Sequence, residues 1–364
     1  MWSKIIKIFK YILAVTGVLR VINFFRNIFL PPLFYDAFLT GDNGEVCLIA
    51  PYYVRPAIEK IRGGFLVNER VVEVRPRLID DPEKGCLVVL FPVPAEVGLG
   101  DSIRLQLKKG GKIFFDKVLK KTPVSAKYHL AITTLFKYEI DYLKEWLEHH
   151  LKMGVEHFYL YDNNKRDDTR ALSVLKEYMD KGLVTYIRWP YSYVLYNFKI
   201  KYCWPNDSFS FTQSAQINDA VYRSKGETKW LLYCDLDEYF FSLNGKSMEE
   251  NVETIAAGKE VSSLVVSGKW FGGSAADLKK LPARGVTKTF IQAEDGLNSP
   301  PKCFFQTKNI IMASIHKVSL KNRGEDIIVP PEMIRFNHYR ALGWKKRLDP
   351  TFAVESKNTN ILDL

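Results

Sequence analysis

The order of apolar runs and amphipathic stretches between residues 129 and 233 constrains the fold of this chain more than any other feature. Four runs of strand length alternate with three stretches of helical periodicity, the strands at 129–135, 155–161, 183–188 and 230–233 and the helices at 139–153, 169–180 and 208–223. This order predicts an α/β fold with a mostly parallel, Rossmann-like sheet and helices on both faces. Such sheets bind ligands at the carboxyl ends of their strands.

An acidic motif follows the last of these strands. Asp235 and Asp237 are one residue apart at the end of an apolar run, and no Lys or Arg separates them. On an extended backbone the two side chains would point to the same side. Two neighbouring carboxylates repel each other, and a divalent cation such as Mn²⁺ or Mg²⁺ that both can ligate relieves the repulsion. The motif therefore predicts a metal site that could hold a diphosphate, although an Asp-X-Asp triplet also arises by chance at strand ends.

Other nucleotide-binding classes lack their motifs in this chain. Neither G-x-G-x-x-G nor G-x-x-x-x-G-K-[ST] occurs in the sequence. Dinucleotide oxidoreductases and P-loop enzymes are therefore disfavoured.

The residues before the α/β pattern are β-rich. Short apolar runs, among them 46–50, 65–67, 71–74, 86–91 and 113–115, are divided by glycine-containing turns. We predict a small all-β domain over residues 31–122, either a sandwich or a barrel, with a linker at 117–127. Its role is either carbohydrate binding or purely structural.

The first 30 residues are basic and rich in apolar and aromatic side chains. They contain five Lys or Arg residues, no acidic residue precedes Asp36, and the longest charge-free run, Tyr11 to Leu19, is nine residues long. A spanning helix needs about 20 apolar residues. The segment is therefore predicted to form an amphipathic helix, lying either on an anionic membrane surface or against the protein itself.

Charge and cysteine usage limit the partners and the compartment. The net charge of +11 fits a nucleic acid, an anionic membrane or a phosphate-bearing substrate. The five cysteines are scattered and form no C-x-x-C pair, which argues against a disulfide framework or a zinc site. We therefore expect a cytoplasmic protein associated peripherally with the inner face of the membrane.

Further short motifs occur at 142–150, 154–163, 213–223, 230–240, 270–274, 315–318 and 337–340. Taken together and in this order, they resemble those of glycosyltransferase family 92, whose members are expected to adopt the GT-A type of nucleotide-diphospho-sugar transferase fold. The chain departs from the family at Lys137-Tyr138-Glu139, where an Arg-Asn-Glu run is usual, and in the turn after Asp162 and Asn163. Both departures fall near the expected nucleotide, so they bear on donor identity more than on fold.

The resemblance implies roles for individual residues. Asp235 and Asp237 would ligate the metal together with His316, with His338 as the alternative. Asp162, Asn163, Asp235, Gln213 and Asn218 would line the donor pocket. Trp270, Gly272 and Gly273 would lie against a sugar. The general base would be Asp295 or Glu294, with Glu238 as a rival.

The predicted function is that of an inverting, metal-dependent glycosyltransferase using a UDP-sugar, with galactose as the best guess. The acceptor would be a saccharide or a lipid-linked glycan, as in bacterial surface glycan or lipooligosaccharide assembly, and nucleic acid is not expected as a partner. The catalytic domain would span 123–345, followed by a tail at 346–364. The alternatives are a metal-dependent phosphoryl-transfer enzyme or nuclease, and a non-catalytic carbohydrate-binding scaffold.

Overall fold

The computed structural model describes residues 34–51, 55–58, 62–67, 70–81, 86–109, 111–165, 167–191, 211–273, 275–314, 318–321, 324–339, 342 and 360–361. The amphipathic helix predicted for 1–30, the candidate ligand His316 and most of the predicted tail lie outside these residues. No helix of the described part is long and apolar enough to cross a membrane.

The β-rich region forms two four-stranded antiparallel sheets. Its elements are β1 (Asp36–Leu39), β2 (Glu45–Pro51), helix α1 (Arg55–Ile58), β3 (Arg62–Val67), β4 (Arg70–Val74), β5 (Arg77–Asp81), β6 (Cys86–Pro92), β7 (Ser102–Lys109) and β8 (Lys112–Lys120). The first sheet has the order β1-β2-β6-β5 and the second the order β4-β3-β7-β8. Buried side chains of both sheets share one apolar cluster, in which the rings of Phe65 and Phe91 meet edge to face. The region is therefore a sandwich.

The first sheet is covered on both faces. Leu48 and Val89 point into the sandwich, whereas Ile49 and Val88 belong to a second cluster that includes side chains of the α/β region. Burial on both faces explains why β2 and β6 are continuous apolar runs without alternation. The linker predicted for 117–127 begins too early in the chain, because β8 extends to Lys120 and the ammonium of Lys117 donates to the carbonyl of Ala37.

The α/β region begins with the alternation that the sequence predicts. Its elements are β9 (Tyr128–Phe136), α2 (Ile140–Lys152), β10 (His157–Asp162), α3 (Arg170–Asp180), β11 (Val184–Arg188), α4 (Phe211–Ser224) and β12 (Thr228–Tyr233). The four strands pair in parallel in the order β11-β10-β9-β12. Helix α2 buries Leu143, Trp146 and Leu147 on one stripe. It ends before Gly154, whose φ of 95° favours a glycine.

The same sheet continues with mixed pairing. The further elements of this region are β13 (Glu238–Ser242), α5 (Met248–Ala256), β14 (Val261–Gly272), α6 (Ala275–Arg284), α7 (Val286–Thr289), β15 (Gln292–Ala293), β16 (Ser299–Gln306), β17 (Ile310–Ala313), β18 (Val318–Leu320), β19 (Glu325–Ile328), β20 (Ile334–Tyr339) and β21 (Asn360–Ile361). Strands β17 and β18 form a separate two-stranded sheet. Strand β16 is antiparallel to both β12 and β14, while β14 is parallel to β19 and β20. The expectation of a mostly parallel sheet is wrong beyond β12, because the periodicity of single strands does not report their direction. The protein is a mixed α/β fold.

Candidate active site

The acidic motif forms a turn at the carboxyl end of β12. The N–H of Glu238 donates to the carbonyl of Asp235 at 3.1 Å, so residues 235–238 are not the extended backbone that the sequence suggested. Trp146 of α2 donates its indole N–H to the carbonyl of Glu238 at 2.9 Å. The turn is therefore fastened to the helix beside it, and its two aspartates face different partners.

A buried lysine compensates one side of the motif. Lys302 on β16 is 2% exposed, and its Nζ lies 2.9 Å from Asp235 Oδ2 and 3.0 Å from Glu238 Oε2. The other carboxylate oxygen of Asp235 accepts from the hydroxyl of Tyr233 at 2.7 Å. Lys302 was not predicted from the sequence, since the motif itself contains no basic residue. The only local sequence feature that could have pointed to Lys302 is its position next to the apolar run 303–305.

The other side of the motif faces a histidine. Nε2 of His338 on β20 lies 3.5 Å from Asp237 Oδ2, and Nδ1 lies 3.0 Å from the hydroxyl of Ser299. The side chain of Asp237 is 14% exposed and that of His338 is 17% exposed. Because Ser299 engages Nδ1, the other ring nitrogen is directed at the carboxylate.

Burial and charge shift the pKa values of these groups in different directions. Burial alone lowers the pKa of His338, but Asp237 and Glu238 raise it above its usual value. Burial raises the pKa of Glu238 to about 7, although Lys302 opposes the shift. Burial would also raise the pKa of Asp235, yet the ammonium of Lys302 holds it below its usual value. Asp235 is therefore a carboxylate at neutral pH, paired with a lysine ammonium.

The predicted metal ligands Asp235 and Asp237 and the alternative ligand His338 differ in how well they fit a metal ion. Among the described residues no three His, Cys, Asp or Glu side chains form a ready-made metal cage. Asp237 and Nε2 of His338 nevertheless present a carboxylate oxygen and an imidazole nitrogen to the same space, and both are donors that Mn²⁺ accepts. Asp235 fits less well, because both of its oxygens already accept hydrogen bonds. The arrangement fits a cation with two protein ligands, and the remaining positions would be left to substrate and water.

The turn after β9 adds a buried acid near the motif. Tyr138 has a φ of 65°, which strains a non-glycine residue, and its N–H donates to Asn164 Oδ1 at 2.8 Å. Glu139 is 8% exposed and lies 3.1 Å from the hydroxyl of Tyr142. Burial, followed by the charge of Asp237, raises the pKa of Glu139 well above its usual value. Burial of Glu139 therefore favours its neutral form.

The predicted nucleotide ligands after β10 are already engaged within the protein. Asp162 is fully buried and accepts from Tyr186, Arg188 and twice from Asn164. Asn163 donates to the carbonyls of Trp189 and Tyr191. Asp162 therefore organises the turn, and its contact with a uracil or ribose stays a prediction.

The candidates on helix α4 serve packing and support. Asn218 is fully buried and both donates to and accepts from the backbone of Ala313, at 2.9 Å in each case. Gln213 donates to the hydroxyl of Tyr233, which itself contacts Asp235. Gln213 is thus connected to the acidic motif through one side chain, whereas Asn218 joins α4 to β17, and its contact with the sugar donor stays a prediction.

The aromatic and glycine candidates lie beside His338. The rings of Trp270 and His338 are 4.0 Å apart between centroids with an interplanar angle of 32°. Gly273 is buried, and a Cβ there would come within 2.4 Å of Phe290. Gly272 is also buried and pairs with Gln292. Packing against Phe290 explains Gly273, while the half-buried Trp270 borders the site.

The three candidate bases have different surroundings. Glu238 is 1% exposed and accepts from the N–H of Asp235 at 2.9 Å in addition to contacting Lys302. Glu294 is partly exposed, and its N–H donates to the carbonyl of Trp270 at 2.9 Å. Asp295 is exposed in the bend that follows. The burial of Glu238 argues against a direct contact with an acceptor.

Comparison with known proteins places the α/β region in a family. The model of glycosyltransferase family 92 matches residues 127–363. A glycosyltransferase family 92 protein of Ricinus communis is 30% identical over 281 residues, which cover 70% of this chain and 46% of that protein. The beta-1,4-galactosyltransferase galt-1 of Caenorhabditis elegans is 22% identical over 230 residues, which cover 62% of this chain and 51% of that protein.

The extent of these matches is partial. The chain spans about a third to a half of the length of the curated relatives it matches. A crystal structure of S. aureus TarS is 14% identical, covers 49% of this chain and 47% of that chain, and has a TM-score of 0.29.

Proposed function

Because the chain belongs to glycosyltransferase family 92, we propose that it is a metal-dependent, inverting transferase of the GT-A type. It would move a sugar from a UDP-sugar, with galactose as the first candidate, to a saccharide or lipid-linked acceptor. The observation that carries the proposal is the pair formed by Asp237 and His338 at the carboxyl end of β12. Family membership supports a glycosyltransferase, and this pair supports the dependence on a metal.

The chain's own residues would divide the work at this edge. Asp237 and His338 would hold Mn²⁺ or Mg²⁺, which supplies positive charge to the diphosphate as it leaves. Lys302 holds Asp235 and Glu238 in place, so that the remaining charge of the motif is concentrated on Asp237. Asp235 and Gln213, connected through Tyr233, would border the nucleotide.

The proposal of galactose as the donor sugar rests on the name of a related protein as well as on chemistry. The nematode relative is named a beta-1,4-galactosyltransferase, which favours galactose as the first sugar to test. Peripheral association with the cytoplasmic face of a membrane, through residues 1–30, is also part of the proposal and rests on their basic, aromatic composition.

Thermal stabilisation by ligands tests the proposal directly. A ligand that binds only the folded state adds about 2.7 kcal/mol of stability at a hundredfold excess over Kd. We expect UDP and UDP-galactose to stabilise the chain only when Mn²⁺ is present. Asp237→Asn should abolish this shift, whereas Asp180→Asn, which removes an exposed carboxylate paired with Lys176, should not.

Two results would count against the proposal. Absence of a shift with UDP, UDP-galactose, UDP-glucose and UDP-N-acetylglucosamine would contradict a UDP-sugar transferase and favour a scaffold. Binding of DNA or RNA with a steep salt dependence, and no UDP binding, would favour the nuclease alternative.

A further inference from the structure

A row of side chains crosses three strand pairings beside the acidic motif. Glu238 pairs with His338 between β13 and β20, His338 pairs with Trp270 between β20 and β14, and the N–H of Glu294 donates to the carbonyl of Trp270. Directly paired residues place their side chains on the same face of a sheet. We call this set, Glu238, His338, Trp270 and Glu294, the polar row.

The contacts within the row agree with the register. His338 Nδ1 lies 3.5 Å from Glu238 Oε1, and the ring of His338 packs against that of Trp270 in a tilted arrangement. Strands in a sheet are about 4.8 Å apart, so Glu294 begins one spacing beyond Trp270 and about three beyond Glu238. The row therefore runs from the acidic motif, across an aromatic surface, to a second carboxylate.

We propose that Trp270 is the platform for the acceptor sugar and that Glu294 is the general base of the transfer. The inference rests on the proposed function and adds to it the acceptor's position and the identity of the base. A pyranose presents an apolar face of C–H groups, which stacks on an aromatic ring. A sugar on Trp270 would have the donor diphosphate at the Asp237 end and the Glu294 carboxylate at the other.

The register selects Glu294 from the three candidate bases. Glu238 is buried against Lys302 and Asp235, so its carboxylate belongs to the motif. Asp295 is one residue beyond the pair with Trp270 and exposed in the bend, where its carbonyl accepts from Asn298 at 3.0 Å. Glu294 alone of the three is both partly exposed and directly opposite Trp270.

The proposed step is balanced as follows. The carboxylate of Glu294 takes the proton of the acceptor hydroxyl, and the hydroxyl oxygen forms a bond with the anomeric carbon. The bond between that carbon and the diphosphate oxygen breaks, and its electron pair leaves with UDP. Attack from the side opposite the leaving group inverts the configuration, and Glu294 later releases the proton to water.

The test uses the full chain and measures UDP release with Mn²⁺ present. The donors are UDP-galactose, UDP-glucose and UDP-N-acetylglucosamine, and the acceptors are methyl β-galactoside, methyl β-glucoside and water. We expect Glu294→Gln to lower kcat by about 10²–10⁴-fold, also with water as the acceptor, since a base assists either attack. Asp295→Asn should lower kcat far less than Glu294→Gln. The control variant Glu177→Gln, which removes an exposed carboxylate on α3 paired with Lys181, should leave kcat unchanged.

Further readouts separate catalysis from folding. Glu294→Gln should keep the wild-type Kd for UDP with Mn²⁺ while kcat falls, whereas Glu294→Asp, which keeps a carboxylate, should retain part of kcat. Trp270→Ala should raise KM for the methyl glycoside without changing the Kd for UDP.

The outcomes distinguish this inference from the proposed function. If Glu294→Gln turns over like the wild type, or if Asp295→Asn causes the larger loss, the assignment of Glu294 is overturned while the proposed function stands. If the wild type neither binds UDP nor releases it from any of the three donors, the proposed function is overturned, and this inference with it.

Discussion

The polar row has a counterpart one residue further along the same strands. Next to His338 and Trp270 stand Tyr339 and Phe271, which pair directly with each other, and Phe271 also pairs with Ala293. Tyr239, next to Glu238, pairs with Asn337 and lies diagonal to Tyr339. We call this second set the aromatic row. Its ring centroids are 5.3 Å apart between Tyr239 and Tyr339 and 5.3 Å apart between Tyr339 and Phe271, and all four residues are buried.

The difference between the rows shows how one register produces both a core and a candidate site. Successive side chains of a strand point to opposite faces, so the pairing that packs the aromatic row also aligns the polar row. The aromatic row should therefore control stability, and the polar row should control chemistry. Four experiments can break or sharpen that division, and they are ordered here from the largest expected effect on stability to the smallest.

Lowering the pH should change the stability contribution of His338, in the polar row, differently from the contributions of the buried histidines His149 and His157. Burial lowers the pKa of both His149 and His157 to about 4, so the unfolded chain binds more protons than the folded one between about pH 6.5 and pH 4. Their contribution is present above pH 6.5 and is lost as the pH falls towards 4. The loss should be roughly 2–3 kcal/mol for each histidine at pH 4.5.

His338 should respond in the opposite sense. Its pKa is raised in the folded protein, so its contribution is present below the unfolded pKa and is lost as the pH rises through the folded pKa. Urea unfolding at pH 7 and pH 4.5 measures these terms. His157→Gln should lose less stability on acidification than the wild type, and equal losses would contradict the predicted role of His157.

Truncation within the aromatic row should have the second-largest effect on the free energy of unfolding. Phe271 is 1% exposed and contacts Tyr339, so Phe271→Ala should lower the free energy of unfolding by about 3–5 kcal/mol through lost burial and a cavity. Urea unfolding measures the change. Phe271→Leu, which fills most of the space, is the control and should cost less. If Phe271→Ala lowered the free energy of unfolding only as much as the truncation of an exposed residue does, the aromatic row would not be part of the core.

Removal of the buried cation should destabilise the polar side of the sheet. Lys302→Met has a similar volume but leaves Asp235 and Glu238 without their shared ammonium, which should cost about 3 kcal/mol. The double variant Lys302→Met/Glu238→Gln removes one of the carboxylates, and it should recover part of the loss in a double-mutant cycle. If the losses in the free energy of unfolding caused by Lys302→Met and Glu238→Gln were additive, Lys302 would act by packing alone.

Truncation within the polar row should change stability least. Trp270 is half-buried, and Trp270→Ala should cost only about 1 kcal/mol, far less than Phe271→Ala next to it. Circular dichroism during thermal unfolding measures both variants. Similar costs for the two would remove the distinction between the rows.

Periodicity predicted the elements between residues 128 and 233 well because it is a local property. The strands and helices from β9 to β12 all occur near their predicted positions, since each buries one face or both. Strands β1, β5 and β7 were not identified, because Arg77–Asp81 and Ser102–Lys109 contain many polar residues. Their pairing partners, not their composition, make them strands.

The candidate site was predictable only in part. The acidic motif is recognisable at the end of an apolar run, and the family resemblance that includes it agrees with the family match. Lys302 lies 67 residues from Asp235 along the chain, and nothing in local spacing connects the two. The same holds for His338, which meets Asp237 because β20 pairs with β13.

By itself, then, the sequence determined the alternation of elements, the strand end that presents the carboxylates and the membership of the family. The tertiary structure decided the direction of β16, the compensation of Asp235 by Lys302 and the alignment of Glu238, His338, Trp270 and Glu294 in one row. The physical reason is that periodicity depends on neighbours in the chain, whereas charge pairing and cross-strand register depend on residues that only folding brings together.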